Sequence, residues 1–159
     1  MQLNEQIALH LRHFYFGGNW TDVNLKDTVA DLNWEQATTP LPDLHTIAEL
    51  VYHINYYVHA VLQVLEGKPL TASDKFSFQA PAIASENDWQ QLLEQCWKDA
   101  EAFATCIEKL PVEQLGANFQ GEAYGNYYRN LQGIIEHCHY HLGQIVLIKK
   151  MMKQQSLIP

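Results

Sequence analysis

Apolar side chains recur at steps of three and four residues along four long stretches of the chain. The stretches cover about residues 3–16, 46–65, 85–110 and 126–153. An α-helix turns once every 3.6 residues, so this spacing places the apolar side chains on one face of a helix. No stretch alternates apolar and polar residues as a half-buried β-strand does. The pattern therefore predicts an all-α fold with four amphipathic helices.

The predicted inward rows of these helices supply one common core. They comprise Leu3, Ile7, Leu11 and Phe14 in the first helix; Ile47, Leu50, Ile54, Val58, Val61 and Leu65 in the second; Trp89, Leu92, Cys96, Ala100, Phe103, Ile107 and Leu110 in the third; and Leu131, Ile134, Cys138, His141, Ile145, Ile148 and Met152 in the fourth. Four such rows are buried together most economically in a four-helix bundle.

The segments between the helices carry clear end signals. Thr46 and Glu49 have the spacing of a capping box, and Ser85 opens the third helix in a similar way. Residues 68–84 show no period and form a loop long enough to cross the bundle, which favours a crossover over a tight hairpin. Residues 154–159 are expected to fray. A short amphipathic segment with Leu25, Val29 and Leu32 lies between the first two long helices.

Length and composition limit the possible classes of protein. The 159 residues, 47 % of them hydrophobic, predict one folded domain over 1–159. A net charge of −8 disfavours binding to nucleic acids or anionic membranes, because like charges repel. Three cysteines without a pairing motif, and an N-terminus without the pattern of a signal peptide, lead us to expect a soluble cytoplasmic protein.

Residues 136–144, in the fourth helix, contain three of the histidines and the best candidates for metal ligands. His137 and His141 are four residues apart and therefore lie one above the other on the same helix face. Two inward imidazoles would repel each other if either were protonated, and a shared cation relieves that conflict. A pair of core histidines bonded to a neighbouring helix is the alternative interpretation. Glu136 does not stand where a metalloprotease motif of the H-E-x-x-H type requires its glutamate.

A third histidine would complete a facial site with one open position. His53, in the middle of the second helix beside inward residues, is the preferred candidate. The alternatives are His45 and His59 on the same helix and the pair His10 and His13 on the first helix. Gln144, one turn after His141, is a candidate to orient a ligand imidazole or to hold a water molecule.

Two motifs also carry a resemblance to a known family. The segments 46–53 (TIAELVYH) and 137–145 (HCHYHLGQI), together with the phrase FGGNW at 16–20, resemble the DinB-like superfamily. That superfamily includes bacillithiol-dependent S-transferases and a mycothiol-dependent maleylpyruvate isomerase. The resemblance covers most of the chain.

The resemblance implies an up-down-down-up four-helix bundle and a divalent ion, commonly nickel or zinc. Transferred by motif, the metal ligands are His53, His137 and His141. The resemblance also implies a homodimer, and a small-molecule thiol and an electrophile as substrates. We therefore expect a metal-dependent thiol S-transferase. A metal-dependent hydrolase, a non-catalytic metal-stabilised binding or stress-response module, and a metal-free helical interaction protein are the alternatives.

Overall fold

A computed structural model describes residues 1–155 and 158 of the chain, which form six α-helices and no β-strand. The helices are α1 (Leu3–Phe16), α2 (Leu25–Val29), α3 (Trp34–Ala37), α4 (Ile47–Leu65), α5 (Glu86–Lys109) and α6 (Tyr127–Gln154). The prediction of an all-α bundle with four long helices is confirmed. Residues 156, 157 and 159, within the predicted frayed tail, lie outside the described residues.

Side-chain caps start three of the long helices where the sequence predicted them. The Thr46 hydroxyl accepts a hydrogen bond from the Glu49 amide at 3.2 Å, and the Glu49 carboxylate accepts one from the Thr46 amide at 2.7 Å. Ser85 caps α5 and Asn126 caps α6 in the same way. These bonds satisfy amide groups that have no partner inside the helix, so they fix the residue at which each helix begins.

Contacts between side chains give the relative directions of α1 and α5. Asn4, near the start of α1, donates hydrogen bonds to the carbonyls of Glu108 and Leu110 at the end of α5. Tyr15, near the end of α1, packs edge-on against Trp97, earlier in α5. The two helices therefore run in opposite directions.

Helices α4 and α5 run in the same direction. Tyr52 lines a pocket together with Asp88 at the start of α5, and His59, two turns later, lies 3.1 Å from Asp99. Two neighbouring parallel helices require a connection that returns along the bundle, and residues 66–85 supply it. These directions of α1, α4 and α5 agree with the up-down-down-up order that the resemblance implies.

The core is built from the predicted rows, with a few differences at their ends. Leu3 was predicted to be inward, but it is 43 % exposed. Its neighbour Asn4 turns inward instead, because its amide bonds the last carbonyls of α5. In α5 the buried position is Leu93, whereas Leu92 is only half-buried. Among the described residues, no helix is long and apolar enough to cross a membrane.

We expect the Thr46→Ala substitution to lower the free energy of unfolding by about 1 kcal/mol, because the Glu49 amide loses its hydrogen-bond acceptor. Chemical denaturation followed by circular dichroism measures this loss. Thr71→Ala, at an exposed threonine in the crossover, is the matched control and should change stability by less than about 0.5 kcal/mol. Equal effects of the two substitutions would contradict the role of the cap.

Candidate metal centre

The structure brings together the three histidines that the sequence singled out. His53 projects from α4, and His137 and His141 project from successive turns of α6. The Nε2 atoms of His53 and His137 are 3.0 Å apart, and the His141 ring centroid is 4.5 Å from each of the other two. One ring nitrogen from each residue lies within 4.8 Å of the others. The described part of the chain holds no other such group of three potential ligands.

Hydrogen bonds on the outer sides of two rings fix which nitrogen faces the centre. His53 Nδ1 lies 3.2 Å from the Ser77 carbonyl oxygen, and His141 Nδ1 lies 2.6 Å from Gln144 Oε1. Both oxygens only accept hydrogen bonds, so both Nδ1 atoms must donate. In a neutral imidazole the Nε2 atom then carries a lone pair. The sequence prediction that Gln144 would reach His141 agrees with this contact.

His137 is only partly hydrogen-bonded within the part of the chain that the structure describes. Its Nδ1 atom is buried and has no hydrogen-bond partner among the described residues, and its Nε2 atom faces the lone pair of His53. A buried polar atom without a partner costs about 1–3 kcal/mol.

A cation at the centre fits this arrangement. Two metal–nitrogen bonds of about 2.0–2.1 Å separate their nitrogens by about 2.8–3.4 Å for bond angles between 90° and the tetrahedral angle. The His53–His137 distance of 3.0 Å lies in this range. The three imidazoles are therefore positioned to hold a metal ion, and imidazole nitrogen suits several divalent transition metals.

The environment keeps all three imidazoles neutral. Burial, and to a lesser extent the neighbouring His141 and His53, lower the pKa of His137 to about 4. Burial is also the main reason why the pKa values of His53 and His141 are lowered. Near neutral pH, these rings therefore offer lone pairs and not positive charges.

The crossover segment between α4 and α5 forms one wall of the site. The Phe78 ring is stacked between the rings of His45, at a centroid distance of 4.0 Å, and His53, at 3.8 Å. Ser77 is 2 % exposed, and its carbonyl orients His53. The sequence flagged this loop as unusually long but did not identify these two residues, because a loop has no period from which a buried position can be recognised.

A carboxylate in the crossover also reaches the site through a tyrosine. The Tyr57 hydroxyl donates a hydrogen bond to Asp74, and the Tyr57 ring packs edge-on against His137 at 4.9 Å and against His53 at 5.2 Å. Burial and the Asp74 carboxylate both raise the pKa of Tyr57. The histidine motif gives no indication of Asp74, because Asp74 lies 63 residues before His137 in the chain.

A cavity of about 600 Å³ lies between α4, the crossover and the first turns of α6. None of the three histidines lines it, but Tyr57 forms part of both the cavity wall and the histidine site. A small organic molecule in this cavity would contact Tyr57, whose ring packs against His137.

The remaining candidate histidines lie elsewhere. His59 contacts Asp99 on the side of α4 that faces α5. His10 on α1 approaches His139, with the ring centroids 5.8 Å apart. His45 is exposed and stacks on the outer face of Phe78. None of them joins the group formed by His53, His137 and His141.

The cysteines of the chain are not activated thiols. Cys96 and Cys138 are fully buried, and burial raises the pKa of both far above the ordinary value. Burial also raises the pKa of the half-buried Cys106. All three are free of disulfide bonds. They pack as small apolar side chains, as the sequence predicted for Cys96 and Cys138.

Comparison with known proteins supports the resemblance seen in the sequence. A family model described as the DinB superfamily matches residues 20–145, which include all three histidines and the crossover. No curated protein and no solved structure matches the chain. Because the family model spans most of the chain, the protein belongs to the DinB superfamily.

Proposed function

We propose that the protein binds a divalent metal ion, nickel or zinc, through His53, His137 and His141, and that it transfers a small-molecule thiol to an electrophile. One observation carries this proposal: one ring nitrogen from each of three histidines lies within 4.8 Å of the others, next to a tyrosine that also lines a cavity. Three protein ligands leave room for an exogenous ligand, as in catalytic metal sites. When bound, the metal would lower the pKa of a thiol that reaches it.

Residues around the centre have the chemistry to support this reaction. The Asp74 carboxylate accepts the proton that the incoming thiol loses, and the Tyr57 hydroxyl, bonded to Asp74, relays it. The thiolate sulfur then forms a bond to the electrophilic carbon, and the displaced group leaves with its electron pair. Ser77 and Gln144 hold the imidazoles of His53 and His141 in place during these steps. The thiol must come from outside, because the protein's own cysteines stay protonated.

Metal-dependent hydrolysis is the second candidate function. The sequence motif offers no general base for it, but the structure places Asp74 and Tyr57 beside the histidines. In this case Asp74 would take a proton from water instead of a thiol. A non-catalytic role for the metal is less well supported, since it leaves the cavity beside the centre without a purpose.

The proposed setting is a reducing cytoplasm, where small thiols are abundant and the three free cysteines remain reduced. We also propose a homodimer, as the family resemblance implies.

The first prediction concerns the metal ligands. We expect His137→Ala to abolish stoichiometric metal binding, because it removes one of three nitrogens. His139→Ala, two residues away on the same helix but outside the group, should bind metal like the wild type. Elemental analysis of protein purified without a histidine tag gives the number of ions per chain. Full occupancy in His137→Ala would contradict the assignment.

The metal should also stabilise the fold. At a free metal concentration of 100 times the dissociation constant, binding adds about 2.7 kcal/mol to the free energy of unfolding. A chelator should therefore lower the melting temperature of the wild type and of His139→Ala, but not that of His137→Ala. A melting temperature that a chelator leaves unchanged in the wild type would favour a metal-free protein.

The second prediction concerns Gln144, which orients His141. Replacing Gln144 with alanine removes the acceptor of His141 Nδ1, and we expect metal affinity to fall by about tenfold. Competition with a chromophoric chelator measures that change. Gln91→Ala, at an exposed glutamine of α5, is the control and should leave the affinity unchanged. An unchanged affinity in Gln144→Ala would show that the hydrogen bond does not support the site.

The third prediction tests the reaction. Metal-loaded protein should accelerate the conjugation of low-molecular-weight thiols with haloaromatic or unsaturated carbonyl electrophiles. His137→Ala should lose this activity. Asp74→Asn should keep the metal but lower the rate by about 10²-fold, because it removes the proton acceptor. Liquid chromatography with mass spectrometry detects the conjugate. Hydrolysis of ester or amide substrates without any thiol transfer would instead identify a hydrolase.

A further inference from the structure

The cavity that shares Tyr57 with the histidine site is lined by one arginine, Arg129. The chain contains two arginines, Arg12 and Arg129. Arg12 is neutralised by ion pairs with Glu101 and Glu108. Arg129 lines the cavity and forms no ion pair with any residue that the structure describes. A guanidinium is always charged and presents its donors as a planar fork, which matches a carboxylate or a phosphate.

The exposed Arg129 side chain lies against the loop that precedes α6. Its Nη1 atom lies 3.5 Å from the Tyr124 carbonyl oxygen, and a Cβ atom added to Gly125 would lie 3.1 Å from Arg129 Cδ. Gly125 has a φ of 73°, a conformation that favours glycine. The absence of a side chain at position 125 therefore allows the arginine to lie close against the loop. Most of its N–H groups are free for a ligand.

The cavity extends along α6 from Arg129 to Gly133 and reaches Tyr57, whose ring packs against His137. Gly133 lies between Arg129 and His137, one turn from each, and it also lines the cavity. A Cβ atom added at Gly133 would meet nothing within 4 Å. Residues 129 and 137 are eight positions apart, so they are separated by about 12 Å along the helix axis. The missing side chain at Gly133 leaves room for a chain of atoms to pass between them.

We infer that the cavity binds a small acidic molecule that extends along α6, with its carboxylate or phosphate on Arg129 and its reacting end at the three histidines. The inference rests on the proposed function, because it places the thiol end at the metal. The protein has a net charge of −8, so most of its surface repels an anion. An arginine without an ion-pair partner in a cavity would attract such a group to that place. The separation along α6 also sets the length of the molecule: a two- or three-carbon thiol acid is too short to reach both ends.

Matched thiols test the length and the charge together. In cobalt-loaded protein, sulfur ligation produces an intense near-ultraviolet band that reports binding of a thiol at the metal. We expect 8-mercaptooctanoic acid, which spans about 10 Å, to bind about tenfold more tightly than the uncharged 8-mercaptooctanol. The short 3-mercaptopropanoic acid should show no advantage over 3-mercaptopropanol, because it cannot reach Arg129.

Three variants assign this advantage to the proposed residues. Arg129→Gln should remove the tenfold preference for the long acid, and Arg129→Lys should recover only part of it. Lys150→Gln removes one positive charge about 31 Å further along α6 and should preserve the preference. Gly133→Leu should weaken the binding of both eight-carbon thiols by at least about fivefold, because the leucine side chain would occupy the space through which they pass. Steric overpacking of this kind costs about 1 kcal/mol or more. The short thiols should bind this variant normally.

A metal-free measurement separates this inference from the proposed function. Octanoate and octyl phosphate, which carry no thiol, are titrated into the apoprotein while the Arg129 Nε–H signal is followed by nuclear magnetic resonance. We expect the signal to shift on saturation with one of these anions or both, and the two probes show whether the site prefers carboxylate or phosphate. Octanol should leave it unchanged.

The outcomes are distinguishable. If octanoate or octyl phosphate shifts the Arg129 signal but no thiol ligates cobalt, the anion site stands and the thiol-transfer proposal falls. If thiols ligate cobalt but the acid and the alcohol bind equally in the wild type and in Arg129→Gln, the thiol site stands and the inference about Arg129 is overturned. A lack of response to both anions in the apoprotein also overturns it.

Discussion

The candidate site depends on the burial of three imidazoles that the protein itself cannot fully satisfy. Burial lowers the pKa of each ring, so that each offers a neutral nitrogen instead of a charge. His53 and His141 are tied from outside by Ser77 and Gln144, whereas His137 Nδ1 has no partner in the described residues. An apolar bundle of this size could fill the same space with leucine at no such cost. A cation held between the three rings would offset this cost.

The topology of the bundle matters because it brings the crossover to the site. Helices α4 and α5 run in the same direction, so the chain between them must travel back along the bundle. That path carries Asp74, Ser77 and Phe78 past the inward face of α4, where they meet Tyr57 and His53. A tight hairpin between the two helices would leave His53 without its carbonyl partner and the cavity without a wall. The long connection thus provides part of the chemistry as well as the connectivity.

The sequence predicted the parts of the molecule that depend on helical periodicity. The four long helices, the caps at Thr46 and Ser85, and the stacking of His137 on His141 all follow from spacing along one element. His53 was one of several possible partners on spacing alone, because choosing among them requires knowledge of which helices face each other. Its place beside inward residues favoured His53, the family resemblance implied the same histidine, and the structure shows the rings together.

The site residues that the sequence did not reveal lie in the loop between α4 and α5. Asp74 and Ser77 act through contacts between segments that are distant in the chain, and a loop has no period that marks them. Leu3 shows a different error: its spacing predicts an inward position, but the structure exposes it. Asn4 is buried instead, because its side-chain amide donates a hydrogen bond to a carbonyl at the end of α5.

Helix α6 carries residues of both the cavity and the histidine site: Arg129 and Gly133 line the cavity, and His137 and His141 belong to the histidine site. Arg129, Gly133, His137 and His141 follow one another at intervals of four residues, so each lies about one turn above the last. The series begins with the charged guanidinium of Arg129, continues with Gly133, which has no side chain, and ends with the neutral imidazoles of His137 and His141. Because a helix is rigid over this length, the distance between the cation and the imidazoles is set by the covalent geometry of the backbone. A molecule that touches both ends is therefore selected by its length as well as by its charge, and the third imidazole, from α4, fixes the side on which it must lie.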